Sequence, residues 1–164
     1  MNTTFDSIQT RESQYVLHTY HRQPVAFVKG KGPRLYDVDG REYLDFVSGI
    51  GVASLGHAHP GLAAAITDQA NTLLHTSNLY YTRPQAVLAE RLVRLTGAPG
   101  KAFFCNSGAE ANEGLYKLAR KFAQDEGRYE ILTAVNSFHG RTLAGISATG
   151  QEKVKKGFEP MVPG

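Results

Sequence analysis

Apolar and polar positions change period along this chain. From Pro24 the texture is that of strands. Val25-Ala-Phe-Val28 leads into the turn-rich Lys29-Gly-Lys-Gly-Pro33. The runs Arg34-Leu-Tyr-Asp37 and Arg41-Glu-Tyr-Leu-Asp-Phe46 then flank Val38-Asp39-Gly40. Asp-Gly between two such runs predicts a β-hairpin closed by a type I′ turn, whose central residues must accept positive φ. The first twenty residues, polar with scattered aromatics, are expected to form an arm or a short helix, and the glycine-rich stretch from Ser48 to Gly61 to be irregular.

Helical spacing takes over beyond Pro60. Leu62, Ile66, Ala70, Leu73 and Leu74 recur on one face, with Pro60 suited to a first turn. A second helix is expected from about Pro84, carrying Val87, Leu88, Leu92 and Leu95 and stopping at Gly97. A short apolar strand, Ala102-Phe-Phe-Cys105, and the turn Asn106-Ser-Gly108 precede a third helix. That helix is expected to bury Ala111, Leu115, Leu118, Ala119 and Phe122 and to stop at Gly127. Tyr129 to Val135 reads as a second strand, running into Asn136-Ser-Phe-His-Gly-Arg-Thr142. Strand, turn, helix and strand make a βαβ unit, so the fold class expected is α/β with a parallel, doubly wound sheet. Two strands do not complete such a sheet.

Composition narrows the function classes. With 18 Lys and Arg against 15 Asp and Glu in 164 residues, the charge of +3 is too small and too scattered for a nucleic-acid partner. Only Lys153, Lys155 and Lys156 crowd together, as on a solvated helix face. The longest stretch without Asp, Glu, Lys or Arg, Phe46 to Thr67, contains His57, His59, Pro60 and four glycines, which argues against a membrane span. No secretory leader is evident. The single cysteine, Cys105, excludes an internal disulfide and is expected to be a small buried residue in a reducing compartment. The expectation is a soluble, cytoplasmic protein.

Two stretches carry candidate chemistry. Asn106-Ser-Gly-Ala-Glu110 sits where a strand gives way to a helix. There the first amides lack helical partners and face the positive end of the dipole, so a phosphate is well received. The same residues match the Ser-x-x-Glu capping box, which satisfies those amides without a ligand, and a Glu110 carboxylate would repel phosphate unless it turns away. Ser137-Phe-His-Gly-Arg-Thr142 follows the next strand. In a doubly wound sheet it faces the same crevice, where Phe138 suits a planar ring and Arg141 a carboxylate. A core Phe and a surface Arg are the simpler account of either residue alone, but the two together beside a candidate phosphate site are less easily dismissed. Gly49, Gly51 and Gly56 fit neither a dinucleotide fingerprint nor a P-loop. His57-Ala-His59 lacks a third ligand at useful spacing for a metal, and Glu113 with Lys117 reads as an i, i+4 surface pair.

Asn-Ser-Gly-Ala-Glu-Ala-Asn-Glu followed by Lys-Leu-Ala-Arg, then Phe-His-Gly-Arg-Thr, resembles the class III, pyridoxal-phosphate-dependent aminotransferases, most closely their acetylornithine and ornithine branch. Pro24-Val-Ala-Phe-Val, Leu44-Asp-Phe, Gly49-Ile-Gly-Val, Leu55-Gly-His-Ala-His-Pro60 and His75-Thr-Ser-Asn-Leu-Tyr-Tyr81 extend the likeness over nearly the whole chain. The resemblance implies the type I aminotransferase fold. Residues 1–57 would be an arm and β-hairpin segment belonging to the small domain, and 58–164 the first part of the large domain. It implies that Ser107, Gly108 and Ala109 bind the phosphate of pyridoxal 5′-phosphate and that Phe138 stacks on its ring. It further implies that Arg141 binds the substrate carboxylate, that Tyr20 and Tyr81 line the substrate pocket, and that the active sites lie at a homodimer interface. The implied reaction moves the ω-amino group of N-acetylornithine to 2-oxoglutarate; ornithine, 4-aminobutyrate and other ω-amino acids are alternative donors. The family's Schiff-base lysine and the aspartate paired with the pyridinium nitrogen match no residue before Gly164. None of Lys29, Lys31, Lys101, Lys117, Lys121 or the Lys153 cluster corresponds to that lysine. The expectation is therefore the N-terminal portion of an aminotransferase, inactive by itself, or a non-catalytic fragment that binds a partner chain.

Overall fold

The structure is a computed structural model and describes residues 3–164. The chain packs as two compact units, one reaching to Tyr80 and the other running Tyr81–Gly164.

The first unit opens with helix α1 (Phe5–Tyr15), started by a reciprocal cap in which the Thr4 side chain accepts from the Ser7 amide and the Ser7 hydroxyl accepts from the Thr4 amide. A three-stranded antiparallel sheet follows: β1 (Phe27–Lys31), β2 (Arg34–Asp37) and β3 (Glu42–Leu44), in that spatial order. β1 turns into β2 through Gly32 and Pro33, with Gly32 at φ +54°, which suits a two-residue hairpin turn that begins on glycine.

The β2–β3 hairpin forms as expected, but with a different turn. Only Gly40 takes positive φ, +81°, while Val38 and Asp39 do not. The Gly40 amide bonds the Asp37 carbonyl, and the Asp37 carboxylate accepts from the Asp39 and Arg41 amides. Such a longer loop needs one glycine rather than two residues of positive φ. The Tyr43 hydroxyl also donates to Asp37, and Phe27 meets the Tyr43 ring edge-on at 5.3 Å.

Between sheet and helix α2 (Pro60–Thr72) lies a left-handed turn, Ser48 to Gly51, with φ of +50°, +60°, +62° and +81°. Ser48 and the β-branched Ile50 are strained in this region. The Asp45 carboxylate anchors the turn, accepting from the Val47 and Ser48 amides at 2.9 and 2.8 Å and contacting His57 Nε2 at 2.6 Å. His57 is bridged through its backbone to Gly32, and its ring lies where a Cβ on Gly30 would fall. His59 caps α2 by accepting from the Leu62 amide. Both histidines of the His-Ala-His motif thus have structural partners.

The second unit contains α3 (Arg83–Thr96), α4 (Gly108–Phe122), α5 (Leu143–Ala148) and α6 (Glu152–Lys155). α3 has Pro84 in its first turn and stops at Gly97, at φ +68°. α4 ends at Phe122, earlier than its glycine predicts, and a 3₁₀ turn over Gln124–Glu126 carries the chain to Gly127. α4 packs on α5, and α5 on α6.

Two local expectations fail. Neither 102–105 nor 129–135 carries a ladder, and the antiparallel sheet is the only one among the described residues. Strand character in an apolar run is realised only beside a partner strand, and neither segment has one here. The helix faces named by periodicity are also uncovered: Leu62, Ile66, Leu88, Leu92, Leu115, Leu118 and Phe122 are exposed, and among the described residues the buried apolar side chains are Tyr116, Ala123 and Ile146. Periodicity reports that a face is apolar; it does not supply what covers it. Cys105 is exposed rather than buried, with its thiol directed at the Ser107 carbonyl, and Glu113 forms no ion pair with Lys117.

Candidate functional site

The start of α4 is built from its sequence. Ser107, extended at φ −155°, is the N-cap, and its hydroxyl accepts from the Glu110 amide at 3.1 Å. The Ala111 amide begins the helical ladder on the Ser107 carbonyl. Glu110 turns back past the cap: its carboxylate accepts from the Asn106 amide at 2.5 Å and faces the Asn106 side-chain amide at 3.4 Å. The amides of Ser107, Gly108 and Ala109 therefore have no acceptor among the described residues. A Cβ on Gly108 would meet nothing within 4 Å, so the space beside that residue is open. Three unspent donors at the positive end of a fifteen-residue helix suit an anion such as a phosphate.

The Phe138–Arg141 loop lies directly against this helix start. Gly140 takes φ +113°, and a Cβ there would stand 2.9 Å from Ala109 Cβ and 3.1 Å from Ala109 Cα, an approach that only glycine permits. Phe138 is exposed, and the Arg141 guanidinium lies 5.6 Å from its ring centroid, so an aromatic face and a cation stand side by side. His139, between them, has a buried Nε2 with no partner among the described residues. A buried polar atom left so costs about 1–3 kcal/mol. The free donors at a glycine and the exposed aromatic beside them fit the phosphate and ring of a pyridoxal phosphate.

Ser107, Gly108, Ala109, Phe138 and Arg141 are thus brought together in the second unit. Tyr81 stands fully exposed at the start of the same unit, away from any described partner. Tyr20 belongs to the first unit, where it lines an open groove of about 420 Å³ with α1 and residues 18–26.

Three residues that sequence reasoning passed over support the loop. Asn112, one turn into α4, donates its side-chain amide to the His139 carbonyl at 2.9 Å. Thr149, wholly buried, accepts from the His139 amide at 3.0 Å and donates to the Gly145 carbonyl at 2.8 Å. Gly150 lies so near residues 134–137 that a Cβ would come within 2.3 Å of the Ala134 carbonyl. Asparagine is a poor interior helix residue, and that was the available signal that Asn112 has a tertiary partner.

Comparison with known proteins gives consistent matches. The model of the family described as aminotransferase class-III matches residues 15–164. The chain is 54% identical over 158 residues to an acetylornithine aminotransferase of Caldanaerobacter subterraneus subsp. tengcongensis, covering 94% of this chain and 40% of that protein. It is likewise 54% identical over 157 residues to an acetylornithine aminotransferase of Methanocaldococcus jannaschii, covering 93% of this chain and 39% of that protein. Among solved structures, the ornithine aminotransferase of Toxoplasma gondii, in a form described as having partial occupancy of PLP at its active site, superposes with a TM-score of 0.88 at 31% identity. That match covers 98% of this chain and 39% of the other. The chain thus spans about 40% of the length of the curated relatives it matches.

Proposed function

The chain belongs to the class III aminotransferases and carries part of their type I fold, and from that premise we propose that its second unit supplies the cofactor and carboxylate subsites of an acetylornithine aminotransferase. The proposed reaction transfers the ω-amino group of N-acetylornithine to 2-oxoglutarate in the cytoplasm, within a homodimer. The cytoplasmic assignment rests on Cys105 as an exposed free thiol, which suits a reducing compartment. The donor is argued from the relatives named for acetylornithine at about 54% identity, against 31% for the ornithine aminotransferase structure. We assign residues 1–57 to the small domain and 58–164 to the large domain.

Pyridoxal phosphate, when bound, supplies the electron sink for exchanging an amino group with a keto oxygen. The chain's own residues do the holding. The Ser107, Gly108 and Ala109 amides bind the phosphate, with the Glu110 charge drawn back onto Asn106. Phe138 offers its ring as the stacking face, and Arg141, steadied over that ring, grips the substrate carboxylate through its planar fork. Tyr20 and Tyr81 are assigned to the substrate pocket. The amine that moves the proton is not among the lysines of residues 1–164, which match none of the family's pattern for it. The isolated chain is expected to bind without turning over.

One observation carries this reading: three unspent amides stand at a helix start that is open beside Gly108 and against which the Phe138 loop is packed. The test is titration of the chain with pyridoxine 5′-phosphate, which has ring and phosphate but no aldehyde to react with surface lysines. Amide shifts should centre on Gly108 and Ala109, with pyridoxine lacking the phosphate binding far more weakly. Equal binding of the two, or shifts elsewhere, would overturn the assignment.

A further inference from the structure

The loop that carries Phe138 and Arg141 is tied at its start, where Ser137 accepts from the Gly150 amide and from the Gln151 side-chain amide. Gly140 is the most permissive residue in it, and both functional side chains are exposed. Beyond Ser137 the backbone is held at His139, which directly follows Phe138. The His139 carbonyl receives the Asn112 side-chain amide from α4, and the His139 amide is received by Thr149 Oγ1 from the end of α5. Thr149 has no exposed surface, and its own proton goes to the Gly145 carbonyl, so the hydroxyl is fixed in direction. Gly145 permits this closeness, since a Cβ there would lie 3.0 Å from the His139 carbonyl.

We infer that Asn112 and Thr149 are positioning residues: together they clamp the His139 peptide and so set the Phe138 ring and the Arg141 guanidinium over the start of α4. This rests on the reading of that start as the phosphate site. Neither residue faces the open side of the Ser107–Ala109 amides; both act through His139. Because His139 directly follows Phe138 and stands two residues before Arg141, releasing its peptide moves both side chains, while the phosphate-binding amides, held by Ser107 and the α4 ladder, stay where they are. Losing one clamp bond should therefore weaken recognition of the ring selectively, by about tenfold, with inorganic phosphate binding unchanged.

The test uses the full chain and three variants. Asn112→Ala removes one clamp and favours the helix it sits in, so folding is retained. Thr149→Val removes the other at constant shape, and Thr149→Ser restores the hydroxyl. The ligand-free readout is the nuclear Overhauser contact between Gly140 and the Ala109 methyl group, which the close approach of the two residues makes strong. The second readout is the preference for pyridoxine 5′-phosphate over inorganic phosphate, followed at the Gly108 and Ala109 amides. Asn112→Ala and Thr149→Val should lose the contact and about tenfold of the preference, and Thr149→Ser should regain both. Retention of contact and preference in Asn112→Ala overturns the inference, as does a Thr149→Ser chain that behaves like Thr149→Val. Should Thr149→Val fail to fold, Asn112→Ala decides alone. If the unaltered chain binds neither probe at α4, the phosphate reading fails, and the ligand-free contact still judges the clamp.

Discussion

Replacing Gly140 by alanine tests the packing that joins the two motifs. Two costs are added. Alanine at φ +113° is strained by about 1–3 kcal/mol, since this backbone region is populated almost only by glycine. The new methyl would also stand 2.9 Å from Ala109 Cβ and 3.1 Å from Ala109 Cα, where carbon pairs prefer about 3.5–4.0 Å. Ala109 is helix backbone in the first turn of α4 and gives little, so the loop must retreat by roughly 0.5–1 Å, at an overpacking cost of about 1–3 kcal/mol. The expected loss is about 2–6 kcal/mol, a large part of the stability of an ordinary domain. Gly97→Ala provides the comparison. It too has positive φ, +68°, but a Cβ there meets nothing within 4 Å, so it should lose only the backbone share, about 1–2 kcal/mol. Urea unfolding of both variants, with amide spectra of residues 138–141, measures the difference. If Gly140→Ala unfolds within about 0.5 kcal/mol of Gly97→Ala with its loop amides unmoved, the close approach of loop and helix has no energetic weight.

Other perturbations test single elements. Ser107→Ala should cost about 0.5–2 kcal/mol in urea unfolding through loss of the cap, and Ser107→Gly only a few tenths; equal costs would mean the hydroxyl does not cap α4. Acid should loosen the first unit. The hydrogen bond from His57, with those from the Ser48 and Val47 amides, lowers the Asp45 carboxyl below its usual value. Burial raises the Asp37 carboxyl, but the bonds from Tyr43, Arg41 and Asp39 outweigh it and lower that value too. Groups depressed by folding stabilise fully above the unfolded carboxylate range, near pH 4, and lose that contribution as pH falls through their folded values. Unfolding followed at the Val47 and Ser48 amides should steepen below about pH 4, and Asp45→Asn should flatten the profile; an unchanged profile would refute the anchor. Borohydride treatment of the chain with pyridoxal phosphate should leave no single lysine stoichiometrically labelled; such labelling with turnover of acetylornithine would overturn the expectation of an inactive chain.

What was legible in the sequence was local. Pro84, Gly97 and the spacing of Val87, Leu88 and Leu92 gave α3 its limits, and Asp39-Gly40 gave a hairpin, because caps and turns are decided by residues within one turn of each other. The family motifs were legible as a set, and the family model matches residues 15–164. What was not legible depends on neighbours distant in sequence. Ala102–Cys105 has strand composition and no strand beside it. Leu115, Leu118 and Phe122 have helical spacing and no layer over them. The His57 motif hid its partner, Asp45, twelve residues away, and Asn112 and Thr149 hid theirs in His139.

The ambiguity of Ser107-Gly-Ala-Glu110 shows how fine the deciding detail is. A reciprocal cap closes when the third residue of the helix returns to the N-cap amide, and α1 does this: Ser7 accepts from Thr4. In α4 the same kind of sequence overshoots by one residue. Ser107 keeps its half of the box, but Glu110 is longer and reaches the Asn106 amide instead. Two consequences follow from that one-residue displacement. The Ser107 amide stays unspent, joining those of Gly108 and Ala109 as a third donor. The Glu110 carboxylate, a nearby charge that opposes an anion, is engaged by two donors of Asn106. A closed box would have satisfied the helix start by itself. The displaced one stabilises the helix and still leaves three amides without an acceptor, so the capping signature and the proposed anion site are compatible in the same residues.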